Sequence, residues 1–280
     1  MTVSYKDTLT TTVDIGGIPF AYRQVGTKGG VPVVFLHHLT AVLDDWDPAV
    51  IDGVASERHV IVFDNRGVGG SGGKTPDSVE AMADDTVAFL EALGLGTVDL
   101  VGFSLGGMVA QVVAQQRPDL VRRLILAGTG PAGGKGGASA GAVLQNAIQQ
   151  ASAQGKHPKH FLFFSPTPTS QAAADAFLGR LDGRTLQDRD TPVTNESIGA
   201  QLIALAKWEQ GTSPAGLATV TQPALVVNGD EDIMLPTINS FELAQLLPNA
   251  QLSIYPDSGH GGIFQHHDLF VQQTLGFLRH

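Results

Sequence analysis

The chain has 280 residues, 42% of them hydrophobic and 16% charged, a balance that fits one large globular domain with an insertion and excludes a disordered chain. The formal net charge of −10 opposes contact with a phosphate backbone, so we expect no nucleic-acid partner. The absence of cysteine removes disulfides, thiolate metal sites and cysteine nucleophiles. We find no signal-like N-terminus and no apolar run long enough to span a membrane, and we expect a cytoplasmic location.

Short apolar runs alternate with helical stretches, a pattern that predicts parallel strands joined by crossover helices in an α/β fold. Before them, two β-prone segments on either side of Gly16 and Gly17 predict an antiparallel hairpin at the sheet edge. Runs that are apolar at nearly every position suit a sheet covered on both faces. The predicted strands are Thr12–Ile15, Pro19–Gln24, Val31–Leu36, His59–Phe63, Val98–Phe103, Leu124–Ala127, Ala224–Asn228 and Gln251–Tyr255.

Helices are expected after several of these strands. The first runs from about Ser78 to Leu93 with Asp77 as its cap. The second spans Leu105–Gln116 and ends before Pro118, and a last helix runs from about His267 to Leu278.

The alternation of strands and helices breaks in residues 131–221. This segment opens with the permissive stretch PAGGKGGASAG, whose glycines are candidate hinges, and then becomes helical. We predict that it forms a lid inserted into a core domain made of residues 1–130 and 222–280.

The sequence GFSLG at 102–106 lies directly after an apolar strand and directly before a helix. A serine on such a tight turn projects its Oγ above the sheet, and the helix N-terminus favours developing negative charge. A glycine-rich turn with an idle serine is the alternative. The placement between strand and helix favours Ser104 as a nucleophile.

Serine is a weak nucleophile, so this hypothesis requires a histidine base with a carboxylate behind it. An aspartate, Asp232 or alternatively Asp230, and His260 meet the requirement in the order Ser, Asp, His, and each comes just after a predicted strand. The remaining histidines lack a ligand cluster, so we expect no metal site.

These motifs resemble the α/β-hydrolase superfamily over nearly the whole chain. The stretch DNRGVGGS at 64–71 is similar to the family's D-x-R-G-x-G-x-S turn, and GDEDIMLP at 229–236 is similar to its GDxDxxxP pattern, in which the later aspartate is the triad acid. The resemblance therefore implies Asp232. It also implies a mostly parallel central sheet flanked by helices, with an inserted helical lid and no cofactor. The GFSLGG stretch and compact lid look most like the esterase, lactonase and non-haem haloperoxidase branch.

An oxyanion hole needs two backbone N–H groups aimed at the tetrahedral intermediate. The amide of Leu105, the residue after the nucleophile, is expected to be the first. By resemblance, the second lies in a loop where relatives carry His-Gly-x, and an ungapped match implies Leu39. Here His38 replaces the glycine. Its side chain is either anchored within the loop or acts as an additional donor to substrate.

Aromatic residues near the elbow and in the predicted lid form a candidate apolar substrate pocket. These are Phe103, Phe163, Phe164 and Trp208, with His38 as a polar member. The alternative for the lid aromatics is packing within the lid itself.

The expected function is hydrolysis of a carboxylic ester or lactone of a small, fairly apolar substrate through an acyl-enzyme on Ser104, with perhydrolysis as a side activity. Two alternatives stay open at this point. One is a cofactor-free lyase or dioxygenase on the same fold that uses the His260/Asp232 pair. The other is a catalytically weak ligand-binding protein. The sequence does not predict an oligomeric state.

Overall fold

The computed structural model describes residues 3–184, 187, 189–211 and 214–279. Its strands are β1 (Thr11–Ile15), β2 (Ile18–Val25), β3 (Val33–Leu36), β4 (Val60–Phe63), β5 (Val98–Phe103), β6 (Val121–Ala127), β7 (Ala224–Gly229) and β8 (Ala250–Tyr255). They form one eight-stranded sheet in the order β1-β2-β4-β3-β5-β6-β7-β8.

The sheet is parallel from β4 to β8, and β2 pairs antiparallel with both β1 and β4. Every residue of β3, β4, β5 and β7 is buried, as expected for strands covered on both faces. The predicted hairpin and parallel strands are thus confirmed. Strand β3 begins at Val33 rather than Val31, because Pro32 has no N–H to donate to a neighbouring strand.

The helices of the described chain are α1 (Pro48–Ala55), α2 (Val79–Ala92), α3 (Leu105–Gln116), α4 (Ala140–Gln154), α5 (Lys159–Leu162), α6 (Pro168–Leu181), α7 (Asn195–Gln210), α8 (Pro214–Leu217), α9 (Ile238–Leu246), α10 (Gly262–Gln265) and α11 (His267–Arg279). Helix α3 packs on β3, β5 and β6, and α2 packs on α3. Helices α1 and α11 pack against each other. None of these helices is long and apolar enough to cross a membrane.

The predicted cap of α2 was wrong by one residue. Ser78 has the extended backbone of an N-cap, and its side chain accepts a hydrogen bond from the Ala81 amide. Asp77 instead forms an ion pair with Lys207 of α7, with Nζ and Oδ2 3.0 Å apart.

Helices α4–α8 follow β6 and precede β7, and we call them the inserted segment. The glycine-rich stretch that leads into it is packed against the core. Gly136 has φ +105°, and a Cβ there would lie 2.4 Å from the carbonyl oxygen of Met234. Asn239 exchanges two hydrogen bonds with the backbone of Lys135. Gly136 therefore permits close packing of this stretch against the core, and the hinge stays a prediction.

Candidate active site

Ser104 occupies a strained turn between β5 and α3. Its backbone has φ 56° and ψ −118°, outside the regions that non-glycine residues ordinarily adopt. The turn is held by hydrogen bonds at both ends of the residue: Ser104 N–H donates to Ala127 O at 2.9 Å, and Thr129 Oγ1 donates to Ser104 O at 2.8 Å. The surrounding structure thus fixes a conformation that an isolated serine would avoid.

Glycines on both sides of Ser104 let backbone segments approach closely. A Cβ at Gly102 would lie 2.3 Å from Gly106 O, and a Cβ at Gly106 would lie 2.2 Å from Leu36 O. Any larger side chain would push α3 away from β3 and β5. The glycines of the GFSLG motif therefore serve the packing that positions the serine.

His260 and Asp232 form a buried hydrogen-bonded pair. His260 Nδ1 and Asp232 Oδ2 are 2.7 Å apart, and Asp232 Oδ1 accepts from the amides of Met234 and Leu235. Because a carboxylate can only accept, Nδ1 donates this hydrogen bond, and in the neutral imidazole the lone pair is then on Nε2. Asp230 is exposed, and its carboxylate instead accepts from the Ser258 amide. Of the two candidate acids, the structure places Asp232 against the histidine.

Ser104 and His260 line one cavity. Among the described residues, no hydrogen bond joins Ser104 Oγ to His260 Nε2. Catalytic hydrogen bonds in ligand-free enzymes are often long and tighten when substrate binds. The structure thus brings a candidate nucleophile and a candidate base to one cavity, with a carboxylate placed to orient the base.

The loop after β3 is anchored by buried side chains. Trp46 Nε1 donates to His37 Nδ1 at 2.8 Å, so His37 Nε2 carries the proton and faces Asp64 Oδ1 at 3.2 Å. Asp64 also accepts from the amides of Leu43 and Gly70. Asp64 begins the DNRGVGGS stretch, so this turn supports the loop that carries the predicted oxyanion donor.

The two predicted oxyanion amides belong to Leu39, which lines the cavity, and Leu105, the first residue of α3. In the part of the chain that the structure describes, neither amide donates a hydrogen bond. The next residue, Thr40, has φ +65°, and its amide donates to Gln201 Oε1 of α7 at 2.8 Å. The inserted segment thus clamps the loop beside Leu39.

His38 also lines the cavity, and its ring is fixed in place. Its Nδ1 lies 2.7 Å from Leu39 O, and its ring makes edge contacts with Phe103 and Phe163 at centroid distances of 5.1 and 5.2 Å. Burial, assisted by the charge of Lys159, lowers the pKa of His38 to about 3. The side chain is therefore neutral, and its Nε2 is an acceptor, not the additional donor considered from the sequence.

The cavity beside Ser104 has a volume of about 230 Å³. Its wall is mainly apolar and comes from both the core and the inserted segment. The lining residues are His38, Leu39, Thr40, Ser104, Leu144, Ile148, His157, Pro158, Lys159, Leu162, Phe163, Ile198, Met234 and His260.

Lys159 is the cation in this wall, and its charge is paired. Its ammonium group forms an ion pair with Asp45 and lies 5.9 and 5.6 Å from the ring centres of Phe163 and Phe177. Burial raises the pKa of Asp45, but Lys159 and His38 lower it more, to a net value of about 2. The pair is therefore ionised at neutral pH and leaves no unpaired positive charge for an anionic substrate.

Of the predicted pocket residues, His38 and Phe163 line the cavity, and the other three lie elsewhere. Phe103 is fully buried beneath it, with its ring 4.9 Å from that of His260. Phe164 packs against Phe177, and Trp208 donates its Nε1–H to Gly130 O. These three side chains therefore do not line the cavity beside Ser104, and Phe164 lines a different pocket, which corrects their placement as walls of this one.

Sequence reasoning missed most of the apolar wall. Leu144 and Ile148 stand one turn apart on α4, and Ile148 is 42% exposed on the protein as a whole. An apolar pair at i and i+4 on a helix that is otherwise rich in Ala and Gln was a usable signal. Gln201 and Lys159 carried no such signal, because their partners lie far away in sequence.

The described residues contain no group of three or more His, Asp or Glu side chains placed to hold a metal ion. Arg66 forms an ion pair with Asp85. This contact agrees with a structural role for that arginine.

The chain is similar to known proteins both in sequence and in structure. Residues 31–267 match the family described as alpha/beta hydrolase fold. An alpha/beta hydrolase fold protein from Chitinophaga pinensis is 38% identical, with a TM-score of 0.94 and 99% of each chain covered. Est816, described as an N-acyl homoserine lactone degrading enzyme, is 26% identical, with a TM-score of 0.74 and 95% and 100% of the two chains covered. A putative non-heme bromoperoxidase of Mycobacterium tuberculosis is 25% identical over 93% of this chain and 97% of its own.

Proposed function

Because the chain belongs to the α/β-hydrolase family, we propose that it is a serine hydrolase that cleaves a carboxylic ester or lactone through an acyl-enzyme on Ser104. The observation that carries this proposal is the 2.7 Å hydrogen bond between His260 and Asp232, next to a strained serine that opens into the same cavity. Strain of this kind persists where the surrounding structure enforces it and is frequent at active sites.

In the proposed reaction, Ser104 Oγ attacks the carbonyl carbon while His260 Nε2 takes the hydroxyl proton. Asp232 keeps Nδ1 protonated and stabilises the imidazolium. The amides of Leu39 and Leu105 receive the negative charge of the tetrahedral intermediate, a contribution of about 3–4 kcal/mol for each donor. His260 then protonates the departing alkoxide. A water molecule attacks the acyl-enzyme and loses a proton to His260. The second tetrahedral intermediate then collapses, His260 returns the proton to Ser104 Oγ, and the acid is released.

The cavity supports a small, neutral and fairly apolar substrate. Its volume of about 230 Å³ is below the range of about 300–1,000 Å³ that holds drug-sized ligands. Its one lysine is neutralised by Asp45, so a carboxylate-bearing substrate would find no free counter-charge.

We further propose that residues 131–221 act as a lid over a core made of residues 1–130 and 222–280. Support comes from the cavity wall, since α4, α5 and α7 contribute Leu144, Lys159 and Ile198 to it. The cytoplasmic location expected from the sequence stays a prediction.

Perhydrolysis is the side activity that this site would permit. If hydrogen peroxide replaces water in the second step, its oxygen attacks the acyl carbon while His260 takes a proton. His260 then returns that proton to Ser104 Oγ as the acyl–oxygen bond breaks and the peracid leaves. The expected result is peracid formation from an ester and hydrogen peroxide, and its loss in Ser104→Ala.

The test of the main proposal is hydrolysis of p-nitrophenyl esters of increasing acyl length by the wild type and by Ser104→Ala. We expect a burst of p-nitrophenol from the wild type, an optimum at short chains, and no burst from the variant. Equal turnover by both proteins would exclude Ser104 as the nucleophile. No turnover of any ester by the wild type would favour a lyase, dioxygenase or binding role.

A further inference from the structure

One ring nitrogen of His38, which lines the same cavity as Ser104, makes no hydrogen bond among the described residues. Its Nε2 is buried and has no partner among the described residues. Of the polar side chains that line the cavity, His38 alone has such an atom in the described structure. A buried acceptor without a donor is destabilising, so its retention calls for a physical reason.

The tautomer of His38 follows from its surroundings. Leu39 O lies 2.7 Å from Nδ1 and can only accept, so Nδ1 must donate and Nε2 must present a lone pair. The opposite tautomer would bring two lone pairs together at that distance. The low pKa of about 3 keeps the ring from gaining a second proton at neutral pH. Nε2 therefore accepts hydrogen bonds and does not donate them.

The ring cannot easily turn to satisfy Nε2 elsewhere. Phe103 and Phe163 pack against it from two directions, and His38 is 4% exposed. Phe103 ends β5, whereas Phe163 belongs to the inserted segment. The ring is thus held in place in the wall of the cavity, one residue from Leu39.

We propose that His38 Nε2 accepts a hydrogen bond from a hydroxyl group on the acyl chain of the substrate, so that the enzyme prefers neutral hydroxyacyl esters or lactones. This inference rests on the proposed function. The alcohol product must leave toward solvent and water must enter, so we place the acyl group against the wall that His38 and Leu39 line. A hydroxyl a few bonds from the scissile carbonyl would then reach Nε2 of His38.

The experiment compares kcat/KM for p-nitrophenyl 3-hydroxybutyrate and p-nitrophenyl butyrate, each divided by its rate of hydrolysis by hydroxide. We expect the wild type to prefer the hydroxylated ester about tenfold, the factor expected for a buried neutral hydrogen bond. A corrected ratio near one in the wild type would overturn the proposal.

Two variants test the two ring nitrogens of His38 separately. His38→Asn keeps a donor near the position of Nδ1 but has no atom at Nε2, and we expect it to lose the preference. His38→Gln reaches the Nε2 position with an amide oxygen but lacks the Nδ1 donor, and we expect it to keep part of the preference. An unchanged preference in His38→Asn would assign the selectivity to another residue.

A binding measurement keeps this test independent of turnover. The probes are 2-pentanone and 4-hydroxy-2-pentanone, unreactive counterparts of the two acyl groups, titrated into Ser104→Ala and followed by NMR. We expect the hydroxyketone to bind about tenfold more tightly, and the difference to disappear when His38→Asn is added. If no ester is hydrolysed but this difference appears, the proposed hydrolysis fails while the role of His38 stands. Equal affinities would refute the role of His38.

Discussion

The hydrogen bond between Gln201 and Thr40, in the loop after β3, allows a test that separates the positioning of this loop from the stability of the fold. Gln201 is fully buried, and its Oε1 accepts the Thr40 amide at 2.8 Å. Thr40 has φ +65°, a conformation that costs a non-glycine residue about 1–2 kcal/mol. The hydrogen bond helps to offset this strain. The substitution Gln201→Leu removes the hydrogen bond with little change in side-chain volume.

The change in stability should be small, because two effects oppose each other. The substitution leaves the Thr40 amide without its acceptor, at a cost of about 1–3 kcal/mol if water does not replace it. It also removes Gln201 Nε2, a buried donor that has no partner in the described structure. We expect a net loss of about 1 kcal/mol or less in the free energy of unfolding.

The effect on the proposed catalysis should be larger. Without the clamp the loop relaxes and the Leu39 amide leaves its position, and losing one oxyanion donor lowers kcat by about 10²–10³-fold. Because displacement is a partial loss, we expect kcat of Gln201→Leu to fall by about 10- to 100-fold while KM stays nearly constant.

The assay is steady-state hydrolysis of p-nitrophenyl butyrate, with denaturant unfolding of the same samples. Thr40→Gly serves as the matched variant, because glycine adopts a positive φ without strain. In that background Gln201→Leu should cost less activity than in the wild type. The reasoning is refuted if Gln201→Leu keeps its wild-type kcat, or if kcat and stability fall together to the same extent in both backgrounds.

Three further predictions test other parts of the structure. Asp232→Asn should lower kcat by about 10³–10⁴-fold in ester hydrolysis and leave the circular dichroism spectrum unchanged, because an amide cannot hold the histidine tautomer. Burial, reinforced by the charge of Asp64, raises the pKa of Asp190 to about 7. The native state therefore holds a proton that the unfolded chain has released above about pH 4, so stability falls as pH rises toward 7. Asp190→Asn should flatten that decline when denaturant unfolding is measured at pH 5 and pH 8. Gly106→Ala should destabilise the fold by about 1–3 kcal/mol or prevent folding, because the added Cβ meets a backbone carbonyl at 2.2 Å. Gly276→Ala, in open space on α11, should stabilise it by about 0.5–1 kcal/mol in the same unfolding assay.

The sequence was sufficient for the sheet and for the chain order of Ser104, Asp232 and His260, because both depend on local patterns. Apolar runs of four to eight residues predict strands directly, and each candidate residue comes just after one of them. Since the carboxyl ends of parallel strands meet at one edge, the three side chains were expected to converge there. Ser104 and His260 do line one cavity, and Asp232 is hydrogen-bonded to His260, an arrangement that follows from the order of the strands.

Contacts between the core and the inserted segment could not be predicted in this way. Gln201 contacts Thr40 across 161 positions, and Lys159 pairs with Asp45 across 114. No local pattern specifies such partners, which depend on how the inserted helices pack. For the same reason aromatic content alone misplaced Phe164 and Trp208, which do not line the cavity beside Ser104.

The distribution of backbone strain connects these observations. Among the described residues, a positive φ on a non-glycine residue occurs at Thr40, Ser104 and Asp257. Each lies in a loop that follows a parallel strand, and each loop carries a proposed functional group: the Leu39 amide, the serine hydroxyl or the His260 imidazole. The inserted segment holds two of these loops, since Gln201 accepts from Thr40 and the hydroxyl of Thr167 donates to the Asp257 carboxylate. Through these contacts the inserted segment helps to hold the strained loops in position. Substitutions that weaken the contacts should therefore lower the rate of the proposed hydrolysis while the sheet is still folded.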